Sequence, residues 1–140
     1  MFRRVACLVV MGLTLAPVAA MAQNASKEKA AVSAAEKWLA LVDKAEYTES
    51  WKEAAAYFRD RVTEQGWKQM SRSVRKPLGR LVSRKLETLK YETSLPGVAD
   101  GQYVLMQFDT SFANKKSAVE TVTAVMDKDE TWRVTGYYIR

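Results

Sequence analysis

One cysteine, Cys7, and no histidine in 140 residues exclude an intramolecular disulfide, a cysteine–histidine zinc site and an imidazole general base. The formal net charge of +6 comes from 22 Lys and Arg against 16 Asp and Glu. Any chemistry falls to carboxylates, Lys, Tyr, Ser or Thr, so no catalytic constellation, metal or cofactor is expected.

Residues 1–22 read as a cleaved secretory signal peptide. Arg3 and Arg4 make the charged start, Val5 to Val18 the apolar run, and Ala20-Met21-Ala22 a small-residue cleavage site before Gln23. The run is too short to span a bilayer, and Cys7 lies ahead of most of it, where no lipoprotein cysteine would stand. The expectation is an exported protein of the bacterial periplasm that is not membrane-spanning. Residues 23–140 then form one domain, long enough to close a core without staples.

Val32, Ala35, Leu39 and Val42, with Trp38 beside them, recur at spacings of three and four and predict a first helix over about Ser26 to Asp43. Asp43-Lys44-Ala45-Glu46 is a polar connection. Trp51, Ala54, Ala55, Phe58 and Val62 predict a second helix, capped by Ser50 in a capping-box frame or by Thr48. Thr63 caps a third, with Trp67, Met70 and Val74 on its apolar side and Lys68, Arg72 and Arg75 on a cationic side. Pro77 restricts Lys76, so this helix is expected to end near Arg75 and Lys76-Pro77-Leu78-Gly79 to form a type I turn.

The period then changes. Leu81 to Thr93 reads as extended, with Val82, Arg84 and Leu86 on one side, and Leu95 to Gly101 as a loop. Val104, Met106, Phe108 and Phe112 alternate with polar residues, and Val119 to Met126 is rich in Val and Thr. Turns fall at Asn114-Lys115-Lys116 and at Asp127 to Glu130. Thr131 to Ile139 closes the chain with Trp132, Val134 and Tyr138 on one face. Three helices followed by a four-stranded antiparallel meander predict an α+β fold, and a strongly curved sheet would make it cystatin-like or nuclear-transport-factor-2-like.

Trp38-Leu39, Asp43, Tyr47, Ser50-Trp51, Phe58, Trp67, Arg75-x-Pro77-Leu78-Gly79, Ser83-Arg84, Gly101-x-Tyr103, Glu120 and Trp132-Arg133-Val134-x-Gly136-Tyr137 form a set. Together they resemble the exported bacterial family called domain of unknown function 4019. The resemblance implies a small secreted α+β protein and carries no established activity.

Between Gln65 and Leu86 stand seven basic residues and no acidic one. Such a run attracts anionic groups, weakly at high salt; no recognition-helix or aromatic–basic pattern points to nucleic acid. Arg72, Arg80, Ser83 and Arg84 are the candidate binding residues, because helix-end electrostatics account for Arg75 and Lys76 without a ligand. Three destinations are open to the Arg84 guanidinium: an ion pair with Glu120 or Asp109, an anion site at a pocket mouth, or solvent through a strand bulge. The same two carboxylates, with Tyr103 and Tyr137 as hydrogen-bond partners, are the alternative site, as bases in a cone-shaped pocket. The leading expectation is a non-enzymatic binding module for an anionic envelope component or an acidic protein. It would be a monomer, or a homodimer pairing through the sheet.

Overall fold

The computed structural model describes residues 16–140. Arg3, Arg4, Cys7 and most of the expected signal segment lie outside the described residues. Helix α1 runs Ala16–Asp43, beginning earlier than the spacing predicted. Its buried face, Ala31, Ala35, Trp38, Leu39 and Val42, follows the helical repeat. Among the described residues no helix is long and apolar enough to cross a membrane.

The expected second helix is two short ones, α2 at Tyr47–Glu53 and α3 at Ala56–Arg61, which makes four helices in all. The break has a cause in the sheet. Ala54 and Ala55 are extended, with ψ of 162° and 152°, and the Ala55 N–H donates to Val134 O at 2.8 Å instead of to its own helix. Both alanines are fully buried, and a larger side chain there would hold the backbone away from the strand. Neither Ser50 nor Thr48 caps α2: Glu46 occupies that position, and Ser50 is buried within the helix.

Thr63 does cap the last helix, α4 at Glu64–Leu78, its hydroxyl accepting from Gly66 N at 3.0 Å. The buried residues of α4 are Trp67, Ser71 and Arg75, four apart each time. Met70 and Val74, expected inside, are 51% and 44% exposed, and Arg75, expected on the outer cationic side, is 7% exposed. Pro77 lies within the final turn rather than beyond it. Asn114 holds that turn from outside, its Nδ2 donating to Pro77 O at 3.1 Å and its N to Leu78 O at 2.9 Å. Gly79, at φ 76° and ψ −164°, then turns the chain away through a backbone region open essentially to glycine alone.

The sheet is the expected meander, β1 Leu81–Glu92, β2 Tyr103–Phe112, β3 Lys115–Met126 and β4 Trp132–Ile139, in the order β1-β2-β3-β4. Val104, Met106, Phe108, Val122, Ala124 and Val134 face the helices and build the core with Trp38, Leu39 and Trp67. Two register irregularities correct the strict alternation. One between Leu81 and Ser83 turns Val82 outward to 53% exposure and leaves Arg84 opposite Thr110 on the helix side. The other, between Thr123 and Ala124 of β3, sends Tyr138 outward to 56% exposure and brings Tyr137 inward.

Candidate functional site

Toward one end of the sheet three core-facing side chains are polar, beside the buried apolar Phe112 and Ala118. Arg84 on β1, Thr110 on β2 and Glu120 on β3 stand on the face that otherwise presents Phe108 and Val122. Arg84 Nε donates to Glu120 Oε1 at 2.7 Å and Nη2 to Oε2 at 3.1 Å. Thr110 Oγ1 donates to Oε1 at 2.6 Å, and the Tyr137 hydroxyl to Oε2. Glu120 is fully buried with four donors on its two oxygens, so little acceptor capacity is left. Arg84 thus goes into an ion pair.

The other side of Arg84 meets the last residue of α1. Asp43 Oδ2 accepts from Arg84 Nη1 at 2.8 Å, and its Oδ1 accepts from Arg84 Nη2 at 2.9 Å and Arg75 Nη2 at 2.8 Å. Two guanidinium groups and two carboxylates therefore close a buried, charge-balanced cluster that ties α1, α4, β1 and β3 together. Burial pushes the Asp43 carboxyl up, but the hydrogen bonds and charges of Arg84 and Arg75 outweigh it and hold it below the ordinary range. Burial first, and then the Glu120 charge, raise the Tyr137 hydroxyl above its usual pKa.

Aromatic rings roof this cluster. Tyr137 lies edge-on to Trp38, 5.3 Å between centroids, and Trp67 packs on Trp38 at 5.5 Å and on Phe58 at 5.3 Å. Three of the four indole N–H groups are spent on the protein: Trp38 on Ser50 O, Trp67 on Ser50 Oγ and Trp51 on Val62 O. These tryptophans are core, as their spacing predicted.

Asp109 does not join them. It is exposed on the opposite face of the sheet, between Lys85 and Val119 in register. Neither Asp109 nor Glu120 lines any of three surface depressions of about 650 to 780 Å³. Tyr103, offered as a carboxylate partner, donates instead to Ala99 O at 2.6 Å. The two carboxylates do not share a pocket.

Six of the seven residues of the basic run fall into three groups. Arg84 is consumed in the buried cluster, Arg75 joins it through Nη2 alone, and Lys85 lies 3.6 Å from Glu87. Arg72, Lys76 and Arg80 are exposed and, among the described residues, pair with no carboxylate. All three line one depression of about 660 Å³ at the α4–β1 corner, with Arg75 and Asp43. Ser83 is exposed on β1 outside that depression. Of the four expected binding residues, Arg72 and Arg80 come together; Lys76 takes the place expected of Arg84.

A protein-family model matches residues 34–137, described as a protein of unknown function, DUF4019. The chain belongs to the DUF4019 family. The DUF4019 match runs from mid-α1 to Tyr137 and includes every residue of the buried cluster and of the corner depression. No curated protein and no solved structure matches this DUF4019 chain.

Proposed function

We propose that this DUF4019 protein is a non-enzymatic binding module of the bacterial envelope, whose basic α4–β1 corner holds an anionic envelope component. The observation that carries the reading is the gathering of Arg72, Lys76 and Arg80, exposed and without carboxylate partners among the described residues, around one depression. Cations left without a partner on a shared concave surface attract anions over about a Debye length, roughly 8 Å at physiological salt. The export part of the reading rests on the charged start, apolar run and small-residue site of residues 1–22. The saturation of Glu120 by four donors and the outward position of Asp109 support a binding rather than a catalytic role.

The test is co-sedimentation of the protein with phosphatidylglycerol vesicles, phosphatidylcholine vesicles and polyglutamate, at low and high salt. Salt-sensitive binding to the phosphatidylglycerol vesicles that is lost in the triple variant Arg72→Gln/Lys76→Gln/Arg80→Gln supports the reading. Retention of polyglutamate alone would reassign the partner to an acidic protein. Binding unchanged by the triple substitution overturns the reading.

A further inference from the structure

The corner depression has the chemistry of a discrete site as well as of a charged surface. We propose that it binds a single phosphoryl group, with Arg75 as the innermost recognition residue. The inference rests on the reading above and narrows it to one ligand class. Arg72, Arg75, Lys76 and Arg80 line the depression against one carboxylate, Asp43. Asp43 is already held by both Arg75 and Arg84, so it offers little repulsion to an incoming anion. Arg72, Arg75 and Lys76 stand at i, i+3 and i+4 on α4 and share one side of it, and Arg80 adds a cation from beyond the Gly79 corner.

Arg75 supplies the independent sign of a missing ligand. Only its Nη2 has an acceptor; Nε and Nη1 are buried with none among the described residues. The guanidinium carbon lies 4.9 Å from the centre of the Phe112 ring, a surface that attracts the charge but offers no in-plane oxygen. Buried polar groups are overwhelmingly hydrogen-bonded, and an exception calls for a cause. An oxyanion in the depression supplies the acceptors once Arg75 turns from Phe112 toward it, and the planar guanidinium fork fits two phosphoryl oxygens at once.

A helix C-terminus ordinarily opposes an anion, because its last carbonyls carry the negative end of the dipole. Here the last three carbonyls are covered. Lys76 O accepts from Gly79 N, Leu78 O from Asn114 N and Pro77 O from Asn114 Nδ2. A phosphoryl group brings three terminal oxygens to the four cations Arg72, Arg75, Lys76 and Arg80 that line the depression; a carboxylate brings two.

The experiment is an amide NMR titration of the full chain with inorganic phosphate and, separately, glycerol 3-phosphate, at ionic strength held constant with sodium chloride. Saturable shifts centred on residues 72–80, weakened roughly tenfold by Arg72→Gln and by Arg80→Gln, are expected. Arg75→Lys keeps the charge but loses the fork and is expected to weaken binding similarly; should that variant fail to fold, the two surface variants carry the test. Tighter binding of the ester assigns the site to a head group, and equal binding assigns it to free phosphate; both support a phosphoryl site. Shifts no larger than those from chloride overturn it. If vesicle binding still depends on Arg72, Lys76 and Arg80 in that event, the broader reading stands; if that dependence is absent too, both fall.

Discussion

Arg84 and Glu120 stand two strands apart, on β1 and β3, and are joined across β2 by two hydrogen bonds of 2.7 and 3.1 Å. The pair lies among side chains that exclude water, with Glu120 fully buried. Its members are therefore far more valuable together than either is alone. Asp43 extends the same logic to Arg75, so the corner of the fold is fastened by charge where a hydrophobic layer would otherwise sit.

Arg84→Met leaves Glu120 buried with only the neutral donors Thr110 and Tyr137, and Asp43 with only Arg75. A loss of about 3–5 kcal/mol is expected, the range for breaking a buried pair from one side. Adding Glu120→Gln to that variant should recover part of the loss. Urea unfolding measures both; a single-variant loss under about 1 kcal/mol would contradict the assignment.

Acid should weaken the protein through Asp43. Its folded pKa lies below the ordinary 3.8, so the unfolded chain takes up protons first as pH falls. The stabilisation is present above about pH 4 and is lost as pH drops through the lowered folded value. Asp43→Asn should lower the melting temperature at pH 7 and flatten its fall between pH 5 and 2, following the same linkage.

Alkali should act through Tyr137. The raised folded pKa, against an ordinary 10.0, means that the unfolded state releases its proton first. Stability is full below about pH 10 and declines as pH rises beyond it. Absorbance titration near 295 nm should show one phenol that ionises only with unfolding and is missing in Tyr137→Phe.

Features fixed by neighbours close in the chain were legible in the sequence, and features fixed by distant partners were not. Alternation placed the meander, and Thr63 marked its helix start, because both depend on neighbours close in the chain. Arg84 as an ion-pair partner of Glu120 was among the sequence expectations, since a guanidinium beside Leu86 on a core-facing strand needs a carboxylate. Arg75 was misplaced: a charged residue on an amphipathic helix is assigned to the wet side, and only Asp43, 32 positions away, makes burial tolerable. The break at Ala54-Ala55 was equally hidden, because its cause is a carbonyl on β4. Trp67, Ser71 and Arg75 at steps of four, starting from a tryptophan, are the signal that would have found the buried face of α4.

Ser50 holds two indoles at once, through its carbonyl to Trp38 at 2.8 Å and through its hydroxyl to Trp67 at 2.8 Å. Ser50→Ala removes the acceptor for Trp67 alone, and a buried donor left unsatisfied costs about 1–3 kcal/mol. Urea unfolding followed by tryptophan fluorescence checks the loss at this fully buried residue.

Gly79→Ala forces a side chain into a positive-φ position, with its Cβ 3.0 Å from Asn114 Nδ2 and 3.2 Å from Ala113 Cβ. Backbone strain of about 1–3 kcal/mol is expected, together with a weakened Asn114 hold on the end of α4. Thermal unfolding reads the first, and amide exchange at Leu78 and Asn114 reads the second.

The interruption between α2 and α3 also bears on how copies of the chain meet. β4 is one of the two edge strands of the sheet, β1 being the other, and an edge strand offers its free carbonyls and amides as a template for a strand from another molecule. The Ala55 amide occupies Val134 O on that strand, and the adjoining α3 residue Ala56 is anchored to Asp127 at 3.3 Å just before β4 begins. A kink that costs the helix part of its own ladder thus closes the start of the β4 edge to strand addition.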